Sequence, residues 1–246
     1  MLAAVAKHPS YSFGFRNFLA DIAWLQAVQA SGSLKMTRSD YDRLHRLLNV
    51  VSDLDPRFEI PYLLGGLVLG ESQDHGREAL QVFGRGKAQF PREWRFPFYM
   101  GFTYYFTLAD PASAGREMME ASALPDCPAF VPGIASRMMS EAGNPEAALM
   151  MLTAIAQQET DDDRRTVLER RIREVAVERD LQLLQRAVEM YREKTGGAPQ
   201  DLKDLLRAGI LAEIPKDPGG GRYLLDREGK VHSDRVQQRL RVFRKE

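Results

Sequence analysis

Cysteine is nearly absent from this chain of 246 residues: Cys127 stands alone. That excludes an intramolecular disulfide and any zinc site built from several thiolates. The four histidines, His8, His45, His75 and His232, lie far apart and lack the close helical spacing that brings two imidazoles to one metal ion. A surplus of one charge is also missing, since Lys+Arg and Asp+Glu both number 34. Such a balance creates no global field toward nucleic acid or an anionic membrane. No apolar run approaches the ~20 residues that cross a bilayer. Met1-Leu2-Ala3-Ala4-Val5-Ala6-Lys7 is too short for a signal peptide and lacks its basic leader. The expectation is a soluble chain, or one whose membrane anchor lies upstream of this sequence.

The signatures of catalysis are missing as well. Gly65-Gly66 and Gly219-Gly220-Gly221 are not followed by the Lys-Ser/Thr of a phosphate loop. They read as a close helix crossing and a turn. Nothing matches a GxSxG elbow or a Cys/His pair. Asp161-Asp162-Asp163 lacks the twelve-position spread of a calcium loop and reads as a helix N-terminus, where carboxylates meet the positive end of the dipole. The expectation is a protein that is not an enzyme, with no catalytic residue, metal or cofactor.

What is present is a motif written twice. Arg57-Phe58-Glu59-Ile60-Pro61-Tyr62-Leu63-Leu64-Gly65-Gly66 returns as Glu93-Trp94-Arg95-Phe96-Pro97-Phe98-Tyr99-Met100-Gly101-Phe102, a shift of 36 residues (61 to 97). Self-similarity at that period marks stacked helical units, none of which buries its apolar face alone. A hydrophobic share of 44% with 9% aromatics supplies the core such units need and argues against a disordered chain.

A first helix is predicted from about Tyr11 to Ser31, with Phe15, Phe18, Leu19, Ile22, Leu25 and Val28 at helical spacing marking a packed face. A second follows the capping residues Thr37-Arg38-Ser39-Asp40 and stops before Asp55-Pro56, because the residue preceding proline is pushed out of the α region. Helix stops recur at Pro91 and Pro125. Repeat units are therefore placed at about 11–56, 58–91, 94–125 and 128–159, the last turning at Gly143-Asn144-Pro145-Glu146. Gly65 and Gly101, at equivalent places in the two copies, are predicted to sit at tight helix crossings.

Period and residue types together resemble tetratricopeptide repeats. Gly101 precedes Tyr104 by three, as in the first helix of that motif. Ala79 with Phe83, and Ala147 with Met151, stand where its second helix carries a small and then a large residue, and Pro91 and Pro125 match its closing proline. The resemblance implies a mostly α fold: a right-handed α-solenoid of helix pairs over residues 1–160. In that family the first helix of each pair lines a concave groove. Tyr62, Leu69, Phe98, Phe102, Tyr105 and Phe106 then become the expected partner-binding residues. The plainer reading is that these aromatics are core, or that the chain's own 161–195 helix covers them.

That helix, 161–195, is long and charged, with Leu168, Ile172, Val175, Leu183, Ala187 and Tyr191 in an i, i+3/i+4 course and arginine and glutamate opposite. Residues 196–234 read as a small α/β cap with a hairpin turning at Arg227-Glu228-Gly229. Thr195-Gly196 with Pro199 and Leu202, then Ile214-Pro215-Lys216-Asp217-Pro218, resembles the globular end of type II secretion pseudopilins, although the acidic calcium loop of that family is absent. Residues 235–246 form a basic amphipathic tail.

Together these readings predict a non-catalytic scaffold that binds a protein or peptide in its groove, with no nucleic acid as partner. The combined pattern, including Ala20-Asp21-Ile22-Ala23-Trp24-Leu25-Gln26-Ala27-Val28-Gln29 and Leu54-Asp55-Pro56-Arg57-Phe58, resembles bacterial repeat proteins that begin with a membrane anchor, which implies the periplasmic face of the inner membrane and envelope, secretion or pilus-type assembly. The alternative is a soluble cytosolic adaptor whose basic tail touches nucleic acid or membrane.

Overall fold

The computed structural model describes residues 14–32, 35–236 and 239–240. They are mostly helical, with a single two-stranded antiparallel hairpin among them near the C-terminal end. The chain divides into two compact units between Val131 and Pro132.

In the first unit, α1 (Arg16–Ser31), α2 (Arg38–Leu54), α3 (Glu59–Gly70), a 3₁₀ turn (Gln73–His75), α4 (Gly76–Gln89), α5 (Arg95–Phe102) and α6 (Pro111–Ser122) follow in order. Neighbours in sequence are neighbours in space: α1 packs on α2, α3 on α4 and α5 on α6, while α2 also meets α3 and α4 meets α5. Local chemistry sets the helix starts. The Thr37 side chain accepts from Asp40 N and the Asp40 carboxylate accepts from Thr37 N at 2.8 Å, a reciprocal cap in which Thr37→Ala removes about 1 kcal/mol. Asp110 caps α6 in the same way, accepting from Ser113 N at 3.0 Å, with Pro111 in the first turn.

The core of this unit joins Leu44 and Leu48 of α2, Tyr62 and Leu69 of α3, Phe83 of α4 and Phe96 of α5. Each such side chain, removed from water, contributes roughly 1.5–3 kcal/mol. Gly65 and Gly101 both sit at tight crossings, but against different partners. A methyl group on Gly65 would run into the Leu48 side chain on α2, whereas on Gly101 it would lie 2.7 Å from Met118 Cγ on α6. Equivalent positions also touch across the repeat: Arg95 Nη2 donates to Glu59 Oε1 at 2.7 Å, and the two residues are 36 apart.

The packed face of α1 differs from the expected one. Ala20, Ala23, Ala27 and Ala30 are buried, whereas Phe15, Phe18, Leu25 and Val28 are exposed. Alanines at 3-4-3 spacing share the helical period and leave room for the backbone of α1 to approach α2 closely. Reading the large residues alone picked the wrong stripe.

The second unit contains α7 (Val131–Glu141), α8 (Pro145–Gln158), α9 (Asp162–Thr195), α10 (Lys203–Arg207), β1 (Tyr223–Leu225) and β2 (Val231–Ser233); the division places most of the expected 128–159 repeat here. α8 packs along α9. Asp161 caps α9 by accepting from Arg164 N at 2.9 Å, and Gly196, at φ 76°, ends it in the left-handed conformation that glycine adopts without strain. The inward stripe of α9 includes Val177, Leu181, Leu184 and Val188, packed on Leu202, Leu205, Tyr223 and Val231. Leu168, Val175 and Ala187 are buried as expected, whereas Leu183 is exposed and Leu184, three before Ala187, takes its place.

The hairpin pairs Tyr223 with Ser233 and Leu225 with Val231, and Gly229 at φ 78° occupies its turn. Two buried carboxylates fasten this end piece. Asp180 accepts from Tyr223 Oη at 2.9 Å and from the Arg179 guanidinium. Asp217 accepts from Ser233 Oγ and Gly219 N, both at 2.7 Å, so the Asp-Pro-Gly-Gly-Gly run is a turn closed by its own aspartate. Burial, followed by the hydrogen bond to Asp180, pushes the Tyr223 phenol well above its usual range. Of the basic tail, residues 237–238 and 241–246 lie outside the described residues. Arg239, which is described, donates to Glu178 at 2.8 and 2.6 Å.

Candidate protein-binding site

Aromatic residues four apart on a helix fall on one stripe, and α5 carries them through its whole length. The ring centroids of Trp94 and Phe98 are 5.4 Å apart, those of Phe98 and Phe102 4.9 Å, and those of Phe102 and Phe106 5.4 Å. Phe130, from the segment after α6, joins at 6.1 Å from Phe98. The ladder is buried at Phe98 and opens outward: Phe106 is 47% exposed and Phe130 55%.

The last rung lies within an irregularity. Thr103–Thr107 form a π-helical turn, in which Leu108 N donates to Thr103 O at 3.1 Å. The wider turn leaves Phe106 stacked on Phe102 with their planes at 27°. Two side chains secure it, Thr103 Oγ1 donating to Tyr99 O at 3.0 Å and Thr107 Oγ1 to Gly70 O on α3 at 2.8 Å. It ends at Ala109, whose φ of 53° costs a non-glycine residue about 1–2 kcal/mol. A π turn and a strained residue beside the exposed Phe106 are features that concentrate at functional sites.

The six residues expected to line a groove separate into two sets. Tyr62 and Leu69 belong to the core of the first unit. Tyr62 stands edge-on to Phe90 and Phe96, and its hydroxyl donates to Pro56 O at 3.2 Å. Tyr105 is also buried. Phe98, Phe102 and Phe106 come together as consecutive rungs, with Phe98 buried, Phe102 half-buried and Phe106 open to solvent. For Tyr62, Leu69, Phe98 and Tyr105 the groove assignment is therefore corrected: their side chains are buried in the packing, where large apolar groups lose the most contact with water. Trp94 and Phe130 complete the ladder and were not anticipated. Trp94 was readable from its i, i+4 spacing to Phe98; Phe130 sits between helices, where periodicity carries no signal.

A chain of polar groups elsewhere in the unit has the composition of a catalytic triad. Ser72 Oγ lies 2.8 Å from His75 Nδ1, and His75 Nε2 lies 3.2 Å from Asp42 Oδ1. His75 is buried, stacked on Tyr41 at 5.1 Å. Ser72 is a near neighbour in the same turn, so the arrangement ties the 3₁₀ turn to α2. Among the described residues no group of three or more His, Cys, Asp or Glu is placed to hold a metal ion, and no helix is long and apolar enough to cross a membrane. Burial pushes the Cys127 thiol up to about 11.

No known protein family and no curated protein matches this sequence.

Proposed function

We propose that this chain is a non-catalytic scaffold that binds an extended peptide or a helix of a partner protein on the aromatic ladder of α5. The observation that carries the reading is the pair of exposed rings on that ladder, Phe106 stacked on Phe102 and Phe130 edge-on to Phe98. Rigid aromatic area, costing little side-chain entropy to hold, is the usual anchor of a protein interface. In this reading the pairs α1–α2, α3–α4 and α5–α6 are tetratricopeptide-like units stacked as a right-handed solenoid, which the contact between Glu59 and Arg95 one repeat apart supports. The resemblance of residues 196–234 to pseudopilin ends adds the setting: assembly work at the periplasmic face of a bacterial envelope.

The test is a photo-reactive amino acid at position 106, in cells that make the chain. We expect it to cross-link one discrete protein, and Phe102→Ala and Phe130→Ala to weaken binding of that protein by ~1–3 kcal/mol. Phe130→Ala should leave the melting temperature nearly unchanged, because the ring is already half in water. Equal cross-linking from the exposed Glu120 on α6, or binding indifferent to both substitutions, would defeat the assignment.

A further inference from the structure

A guanidinium N–H that loses water without gaining an acceptor is unfavourable, and the second unit contains one. Arg137, on α7, has its Nε buried with no hydrogen-bond partner among the described residues. It lines a cavity of about 360 Å³ shared with α9 and the segment after β2, a volume within the ~300–1,000 Å³ of small-molecule sites.

The other charges of this cavity are already matched. Arg171 Nη1 donates to Glu174 Oε2 at 2.5 Å. The Arg239 guanidinium and Leu240 N both donate to Glu178, itself buried. Arg137 and the exposed Arg235 remain, and neither has an ion-pair partner among the described residues. Burial, then the neighbouring Arg171, holds the Arg137 guanidinium below its usual range, though arginine keeps its proton in proteins. The rest of the wall is apolar, with Val177 and Leu181 from α9 and Val236 opposite.

We infer that this cavity binds a small amphiphilic carboxylate, its two oxygens on the Arg137 fork and its apolar chain against Val177, Leu181 and Val236. A guanidinium fork matches a carboxylate with two parallel hydrogen bonds. Inorganic phosphate, by contrast, has no apolar chain to cover Val177, Leu181 and Val236, and so gains nothing from that wall.

Calorimetric titration of the full chain with hexanoate, hexanol and inorganic phosphate tests this, together with the NMR signal of the Arg137 Nε–H. Hexanoate should bind saturably and shift that signal, hexanol should show no comparable binding, and phosphate should bind at least about tenfold more weakly. Arg137→Met should weaken hexanoate by at least about tenfold, the loss of roughly one charge-assisted contact. Arg137 has no ion-pair partner among the described residues to lose, so this variant should keep the melting temperature. If it fails to fold, Arg137→Lys, which keeps the charge and lacks the fork, should show the weaker binding instead. The assignment is overturned if hexanoate does not bind, if hexanol binds as well, if phosphate binds more tightly, or if affinity is indifferent to the substitution at Arg137.

Discussion

Gly86 on α4 shows how little space separates these helices. A Cβ there would lie 2.8 Å from Tyr62 Cβ and against the Phe96 ring, and neither neighbour is the loose end of a side chain. Gly86→Ala should therefore destabilise the first unit by roughly 1–3 kcal/mol through overpacking, whereas at Gly84, which has open space around it, alanine should stabilise by up to ~1 kcal/mol through helix propensity. Denaturant midpoints of the two variants decide the matter. His45 offers a second residue-level test. Burial, its largest influence, holds its pKa below the ordinary 6.5, so the unfolded chain takes up a proton more readily than the folded one. Stability should be level above about pH 6.5 and fall as the pH drops below it. His45→Gln should flatten that part of the profile, and an unchanged slope would assign the effect to another group.

At the scale of elements, legibility varied with what the pattern rested on. Punctuation was readable: the Thr37 cap, the proline after Asp55, Asn144-Pro145 and the glycine turns are set by local chemistry that tertiary packing does not overrule. Which face a helix buries was less so. On α1 the alanines won because closeness of approach, and not side-chain size, governs that crossing; on α9 two adjacent leucines both fitted the period up to Ala187, at i+4 from Leu183 and i+3 from Leu184, and packing chose Leu184. Of the candidate site, the sequence carried the ladder of Phe98, Phe102 and Phe106 but not its exposure, since a helix facing a neighbour and one facing solvent repeat with the same period. The π turn had no signal at all. Its anchoring is testable: Thr107→Val removes the hydroxyl that donates to Gly70 O and should loosen the turn around position 106 at a cost of about 1 kcal/mol. The expected outcome is loss of partner cross-linking from that position with α5 and α6 still folded by circular dichroism.

For the molecule as a whole, each unit has a core of its own, one around Tyr62 and Phe83 and the other around Leu181 and Leu184. Both tryptophans, Trp24 and Trp94, fall in the first, so indole fluorescence follows that unit while far-ultraviolet circular dichroism follows both. The two signals should give non-coincident denaturant transitions; superimposable curves would mean a single cooperative block. Cys127 carries a last consequence. It stands three residues before Phe130, one of the exposed rings of the ladder, and there is no other thiol in the chain. Because that thiol ionises only near 11, a maleimide or iodoacetamide should react sluggishly at neutral pH and faster as the solution becomes alkaline. A dye attached there would need no engineered cysteine, and its emission should change when a ligand settles over Phe130.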